Sequence, residues 1–218
     1  MLAATAPLDD AALDQAIAAL VAAEFLYEAA VWPRIEYSFK HPLTQEVAQR
    51  SQLQARRVRT HAAVTQALED GGGNLDERAA EIAQHWADAE EKGRAARWYK
   101  RAAECAGLSN LREGRSHWRR VRELAPGIED ADERAKLSME ACQQILFLAW
   151  RVGISDEEIA SVFGEGRALA EQAGDRRTLA ILMGTYAAAR GIRDHADVRQ
   201  YVHRRRRGCG GLVGSRPG

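Results

Sequence analysis

Residues 79–102 read AAEIAQHWADAEEKGRAARWYKRA, and this stretch joins two predicted helices, 76–91 and 93–107. Its apolar residues recur at helical spacing and come in two sizes. The small residues are Ala83, Ala95 and Ala102, and the large ones are Trp86 and Tyr99. Small residues let two helices approach closely, and large rings fill the gaps beside them. The pattern therefore predicts two packed helices with Trp86 and Tyr99 buried against each other's helices.

The spacing resembles that of the tetratricopeptide repeat, a helix–turn–helix unit of about 34 residues. One assignment takes residues 79–86 (A-x2-I-A-x2-W) as the first helix and 95–102 (A-x3-Y-x2-A) as the second. Another assignment opens a unit at residues 98–102 (W-x2-R-A) and closes it with 114–121 (G-x3-W-x2-V) and Pro126. One helix satisfies both patterns, so the register of the repeat across it stays open.

The same signal returns farther along the chain in weaker form. Residues 159–166 (I-x3-F-x2-G) match a second helix, and residues 179–186 (L-x2-L-M-x2-Y) match a first helix. We therefore expect a mainly α protein in which residues 51–202 form a tetratricopeptide-like solenoid of helical hairpins. The alternative is an unrelated helical bundle in which the aromatic residues are simply core.

Helical periodicity covers most of the remaining chain. The other predicted helices are 9–23, 43–50, 52–70, 110–125, 131–152, 156–173 and 176–190. Glycine and proline separate them, as they do between helices joined by short connections. Acidic residues dominate 76–91 and basic residues dominate 92–101, which favours an antiparallel pairing of these two helices.

The first fifty residues have a different character. Apolar and polar residues alternate in Glu24–Glu28 and Arg34–Lys40, with Trp32-Pro33 between them. This alternation predicts an antiparallel hairpin, the only sheet of the protein. A helix followed by a hairpin is typical of the end of a winged-helix domain, so we assign residues 1–50 to a small winged-helix remnant.

Residues 36–48 read EYSFKHPLTQEVA and make the sequence recognisable. They resemble a segment of large bacterial signalling proteins that join a class III adenylate/guanylate cyclase domain to an AAA-like (STAND) ATPase and a tetratricopeptide region. The resemblance extends over roughly residues 20–202. It continues at Arg56-Arg57, His61-Ala62, 95–99, 119–124 and 166–175. It implies a C-terminal sensor and relay region, with Lys40-His41 placed to contact the ATPase core of the parent protein or to cap the hairpin–helix junction.

Nucleotide chemistry is not expected of this chain. No run of the form G-x-x-x-x-G-K-[ST] is present, and no mixed sheet is predicted that could carry the metal-binding carboxylates of a cyclase. The six histidines form no i, i+4 pair, and the three cysteines form no CxxC pair. We predict no catalytic, cofactor-binding or metal-binding residues, and therefore no enzyme and no cofactor.

The expected function is non-catalytic protein interaction and signal relay. A protein or peptide partner would lie in the helical groove, and the ATPase core would be a second partner. Two alternatives are a piece of an ATP-binding LuxR-type transcriptional regulator, and a chain classed as a cyclase only through its parent protein. The formal net charge is zero, no apolar run spans a membrane, and cysteine is scarce. These features favour a cytoplasmic protein that binds neither nucleic acid nor membrane.

The end of the chain breaks the helical pattern. Four arginines at 204–207 precede a glycine-rich stretch, so residues 203–218 are predicted to be a disordered basic tail. The helix 176–190 would then lack a complete partner beyond residue 191. We therefore expect an apolar strip near Leu182 and Tyr186 to be partly exposed.

Overall fold

The protein is mainly helical. A computed structural model describes residues 6, 8–30 and 35–191. The helices are α1 (Asp10–Ala22), α2 (Pro42–Arg50), α3 (Gln54–Asp70), α4 (Ala79–Asp88), α5 (Lys92–Ala106), α6 (Leu111–Leu124), α7 (Ala131–Val152), α8 (Asp156–Gln172) and α9 (Arg176–Gly191), with a 3₁₀ turn at Ala125–Gly127. The strands are β1 (Leu26–Ala30) and β2 (Glu36–Phe39). Every helix predicted within these residues is present, and the largest shift is three residues, at the ends of α4.

Side-chain caps explain where several helices begin. The carboxylate of Asp9 accepts a hydrogen bond from the Ala12 amide at 2.8 Å, and Asp130 accepts one from Glu133 at 2.7 Å. Asn110 and Ser155 occupy the same position before α6 and α8. Such caps satisfy amides that the first helical turn leaves unpaired. Local sequence therefore determines these helix starts.

Three helices end in one geometry, a residue with positive φ that closes the last turn. This residue is Glu24 after α1 (φ 60°), Glu90 after α4 (φ 62°) and Gly174 after α8 (φ 67°). In each case the amide of the following residue donates a hydrogen bond to a carbonyl of the last turn, for example from Phe25 to Leu20 at 2.9 Å. This left-handed conformation is easy for glycine and strained for glutamate.

The hairpin predicted for residues 24–40 is confirmed. Leu26 pairs with Phe39 and Glu28 with Tyr37, with an irregularity before Ala30. It is the only sheet within the described residues. The first strand begins at residue 26 rather than 24, because Glu24 ends helix α1.

The chain folds as two compact units that meet in sequence between Trp98 and Tyr99, within α5. In the first unit, no described residue before Thr65 is buried. The core of this unit consists of side chains from α3, α4 and the start of α5. Its members are Thr65, Leu68, Ala79, Ile82, Ala83, Trp86, Ala89, Ala95 and Ala96. The predicted domain limits at residues 50 and 202 stay predictions.

In the second unit, α7, α8 and α9 all contact one another, and α6 packs on α7. The closest approach is at Gly166, where an added Cβ would lie 2.9 Å from Cβ of Cys142 and 3.2 Å from the Leu182 methyl groups. The absence of a side chain at residue 166 lets α8 lie against both neighbours.

Leu182 corrects one prediction. We expected it to be partly exposed, but it is fully buried beneath Gly166. Tyr186 is half-buried and stacks on Phe163, with ring centroids 4.1 Å apart. The Leu182 side of α9 is therefore covered by α7 and α8, whereas Tyr186 is partly exposed, as predicted. The predicted continuation after residue 191 and the predicted tail 203–218 lie outside the described residues.

The predicted burial of the two rings is confirmed, since Trp86 and Tyr99 are 3% and 4% exposed. Trp86 contacts Arg94 on α5. Tyr99 belongs to the second unit, where its ring lies 5.8 Å from that of His117 on α6.

We predict that two of the left-handed helix ends, Gly174 and Glu90, respond in opposite directions to substitution. Gly174→Ala should lower the free energy of unfolding by about 1 kcal/mol, since nothing crowds this position and backbone strain is the main change. Glu90→Gly should raise it by up to about 1 kcal/mol. Urea denaturation measures both. Glu90→Ala is the control, because it keeps the strain and loses only the side chain; equal losses for both Glu90 variants would contradict the argument.

We also predict that Trp86→Ala destabilises the protein by about 3–5 kcal/mol, as truncation of a large core side chain does. The reason is its near-complete burial among α3, α4 and α5. Thermal or urea unfolding provides the measurement, with Gln84→Ala on the exposed side of α4 as the control. A loss below about 1 kcal/mol would mean that the indole contributes little to this core.

Candidate interaction surfaces

Large exposed hydrophobic side chains are concentrated at the start of the chain. Nine of the thirteen found among the described residues lie between residues 8 and 53. We call them the N-terminal apolar surface: Leu8, Leu20, Phe25, Tyr27, Ile35, Phe39, Leu43, Val47 and Leu53. Scattered exposed apolar residues are ordinary, whereas nine of them within one segment make that segment a candidate for an interaction site.

The local structure explains why these side chains stay exposed. Helix α1 packs on β1 and α2 packs on β2, but neither helix has a buried residue. Alternation in the hairpin does not produce a buried face, because Tyr27 and Ile35 are 50% and 58% exposed. The segment is therefore ordered by hydrogen bonds and helix caps rather than by a core.

The junction Lys40-His41 has a clear local role. The Lys40 ammonium donates to the Glu24 carboxylate at 2.6 Å, and the Lys40 amide donates to the Phe25 carbonyl at 2.9 Å. These contacts join the end of α1 to the end of β2. Lys40 lowers the pKa of Glu24 through this hydrogen bond and its charge. His41 is exposed at the N-cap of α2 and makes no side-chain cap.

A groove of about 220 Å³ lies in the second unit between α5, α6 and α7. Its lining residues include buried Trp118 and the exposed side chains of Leu108 and Phe147. The Arg151 guanidinium lies 5.5 Å from the centre of the Phe147 ring. An apolar groove of this size can accept one large apolar side chain of a peptide.

A second cluster surrounds Trp86 in the first unit. The indole Nε1 donates to the Glu69 carboxylate at 2.6 Å, and the Arg94 guanidinium lies 4.5 Å from the indole ring. Glu69 and Arg94 also line a cavity of about 300 Å³ with Gln66, Arg97 and Trp98. The Trp86 contacts tie α4 to both α3 and α5. The helical spacing around Trp86 predicted that its side chain is buried, but it did not predict the hydrogen bond to Glu69.

Two histidines meet between α3 and α4. The Nδ1 atoms of His61 and His85 are 2.9 Å apart, so one imidazole donates a hydrogen bond to the other. Burial lowers the pKa of His85, and repulsion from His61 lowers it further. Sequence inspection missed the pair because the two residues are 24 positions apart and belong to different helices.

The described residues contain no group of three or more histidine, cysteine or acidic side chains that could hold a metal ion. Burial raises the pKa of Cys142 to about 12, so this thiol is not a nucleophile at neutral pH. No described helix combines the length and apolar character needed to cross a bilayer.

No protein-family model, curated protein or solved structure matches this chain.

The histidine pair predicts a pH effect on stability. The folded state lowers the pKa of His85, so the unfolded chain binds more protons as the pH falls below the ordinary histidine value of about 6.5. Stability should therefore decline as the pH falls through this window. Urea denaturation between about pH 7.5 and 5 measures the slope. His85→Gln should have a shallower slope than the unmodified chain, and equal slopes would contradict this explanation.

Proposed function

We propose that this chain is a non-catalytic protein-interaction and signal-relay region of a STAND-type ATPase/nucleotide cyclase regulator. The observation that carries the proposal is the N-terminal apolar surface, which occupies a segment with no buried residue. The resemblance of residues 36–48 to the region that follows the ATPase core suggests the partner. That partner is the ATPase module of the parent protein.

The energetics of the segment support docking. Helices of 13 and 9 residues are marginal in water without tertiary packing, and so is an isolated two-stranded hairpin. A partner that covers the exposed rings and aliphatic chains would supply the missing hydrophobic stabilisation, at about 25 cal/mol for each Å² of apolar surface removed from water. The segment is therefore suited to bind another protein.

The connection to the first core suggests how a signal would be relayed. Only residues 51–53 separate α2 from α3, and α3 carries the buried side chains of Thr65 and Leu68. A change in the docked position of α2 would therefore act directly on a helix that is held in the core. A partner that favours one position of α2 shifts the population of α3 states by its difference in affinity.

The groove beside Phe147 provides a second contact in this proposal. Leu108 and Phe147 are 67% and 43% exposed, whereas Trp118 at its floor is buried. A peptide from another protein could insert an apolar side chain between them. The chain would then bind one partner through each of two surfaces and perform no chemistry of its own.

The proposal predicts binding to an isolated STAND ATPase module from a bacterial cyclase of the resembled family. Leu43→Gln and Val47→Gln should each weaken that binding about tenfold or more, because both side chains are more than half exposed on α2. Isothermal titration calorimetry measures the affinity. Met183→Gln is the matched control, since this residue is 56% exposed on α9.

Two results would contradict the proposal. One is binding of the module that none of the α2 variants alters. The other is saturable ATP binding by this chain alone, measured by the same calorimetry. Circular dichroism of each variant establishes that it remains folded.

A further inference from the structure

The cavity of about 300 Å³ in the first unit has opposite polarity on its two sides. Helix α3 contributes Gln66 and Glu69, which lie one turn apart and carry oxygen acceptors. Helix α5 contributes Arg94 and Arg97, which also lie one turn apart and carry cationic donors. The half-buried ring of Trp98 completes the lining. The cavity therefore has acceptors on one helix, donors on the other and an aromatic wall.

The indole of Trp86 holds an anion and a cation of this lining on different sides of one ring. The Glu69 carboxylate lies at the ring edge, where one oxygen accepts from Nε1 at 2.6 Å. The Arg94 guanidinium lies over the ring face, 4.5 Å from its centre. The second carboxylate oxygen and the guanidinium donors can therefore bind a ligand that carries both kinds of group.

Gln66 adds an acceptor beside the carboxylate. Its amide nitrogen donates to Asp70 at 3.2 Å, which leaves the amide oxygen as an acceptor. The charged residues nearest to the lining along the two helices lie outside it: Arg59, Asp70, Lys92 and Lys100.

The charges of the lining select a ligand with both signs. The lining contains two guanidinium groups and one carboxylate. A purely anionic ligand would be repelled by Glu69, and a purely cationic one by Arg94 and Arg97. A ligand with an anionic and a cationic group close together is attracted by both sides.

The geometry points to a binding site for a free α-amino acid with a large apolar side chain. Arg94 binds the α-carboxylate through paired hydrogen bonds, and Arg97 adds positive charge on that side. The oxygens of Glu69 and Gln66 accept from the α-ammonium group. The apolar side chain lies against Trp98. A volume of about 300 Å³ is within the range of small-ligand pockets.

The test is isothermal titration calorimetry of the full chain with L-phenylalanine and with two analogues that each lack one charged group. These are 3-phenylpropionate, without the ammonium, and phenethylamine, without the carboxylate. L-phenylalanine should bind saturably, and each analogue about tenfold more weakly or worse. L-leucine is titrated as a second amino acid. Equal binding of L-phenylalanine and either analogue overturns the inference, as does the absence of saturable binding of both amino acids up to about 10 mM.

Variants assign the two ends of the ligand. Arg94→Gln should weaken binding of L-phenylalanine and 3-phenylpropionate at least about fivefold and leave phenethylamine within about twofold. Glu69→Gln keeps an oxygen acceptor for the Trp86 indole; it should weaken L-phenylalanine and phenethylamine and spare 3-phenylpropionate. The controls Arg112→Gln and Glu157→Gln remove the same charges from exposed positions in the second unit and should change affinity by less than about twofold.

Circular dichroism establishes that each variant is folded. If Arg94→Gln unfolds the chain, Glu69→Gln and the analogue series still test the site. A folded variant that binds L-phenylalanine as tightly as the unmodified chain, or loses all three ligands equally, overturns the inference. The proposed function is tested separately, because binding of the ATPase module is assigned to α2 and none of the lining residues belongs to α2. Either result therefore stands when the other fails.

Discussion

The first unit depends on the position of one indole. Trp86 donates to Glu69 on α3 and lies under Arg94 on α5, so its side chain contacts both helices that flank α4 in sequence. Its ring is almost fully buried, and the alanines of α4 and α5 are small enough for the helices to close around it. No described residue before Thr65 is buried. The folded state of the first unit therefore depends on the packing of α3, α4 and α5 around Trp86.

Exposed and buried apolar side chains occur in different parts of the chain. From Thr65 onward, alanine, leucine and isoleucine side chains fill two cores, whereas residues 8–53 contain no buried residue among those described and leave nine large apolar side chains exposed. A folded domain ordinarily covers most such side chains, since their burial is the main favourable contribution to folding. The proposed contact with another protein is therefore assigned to the start of the chain.

Local patterns were sufficient to predict the elements, and long-range packing explains what they missed. Capping residues and helical spacing predicted the helices, and alternation predicted the hairpin, because these signals depend on neighbours within a few residues. The same alternation carries no information on whether a second layer covers the hairpin, so the exposure of Tyr27 and Ile35 was unforeseen. The burial of Leu182 depends on Gly166, which lies sixteen positions away on another helix.

The candidate surfaces were less predictable than the fold. The resemblance of residues 36–48 drew attention to the segment, but Lys40 proved to bond Glu24, a residue that no motif singled out. The histidine pair and the contact between Glu69 and Trp86 join positions 24 and 17 residues apart. Such contacts follow from the relative rotation of two packed helices, which residue spacing alone does not specify.

The left-handed glutamates are places where strong acid would remove a side-chain contact from a strained backbone. Each accepts backbone strain that glycine would avoid, and each uses its carboxylate for a distant contact: Glu24 with Lys40, and Glu90 with Gln54. The pKa of Glu24 is lowered by Lys40, so its ion pair is kept near neutrality and lost once the carboxylate is protonated. Acid would then leave the strain in place and remove the ion pair between the end of α1 and the end of β2, whereas the backbone hydrogen bond from Lys40 to Phe25 would remain.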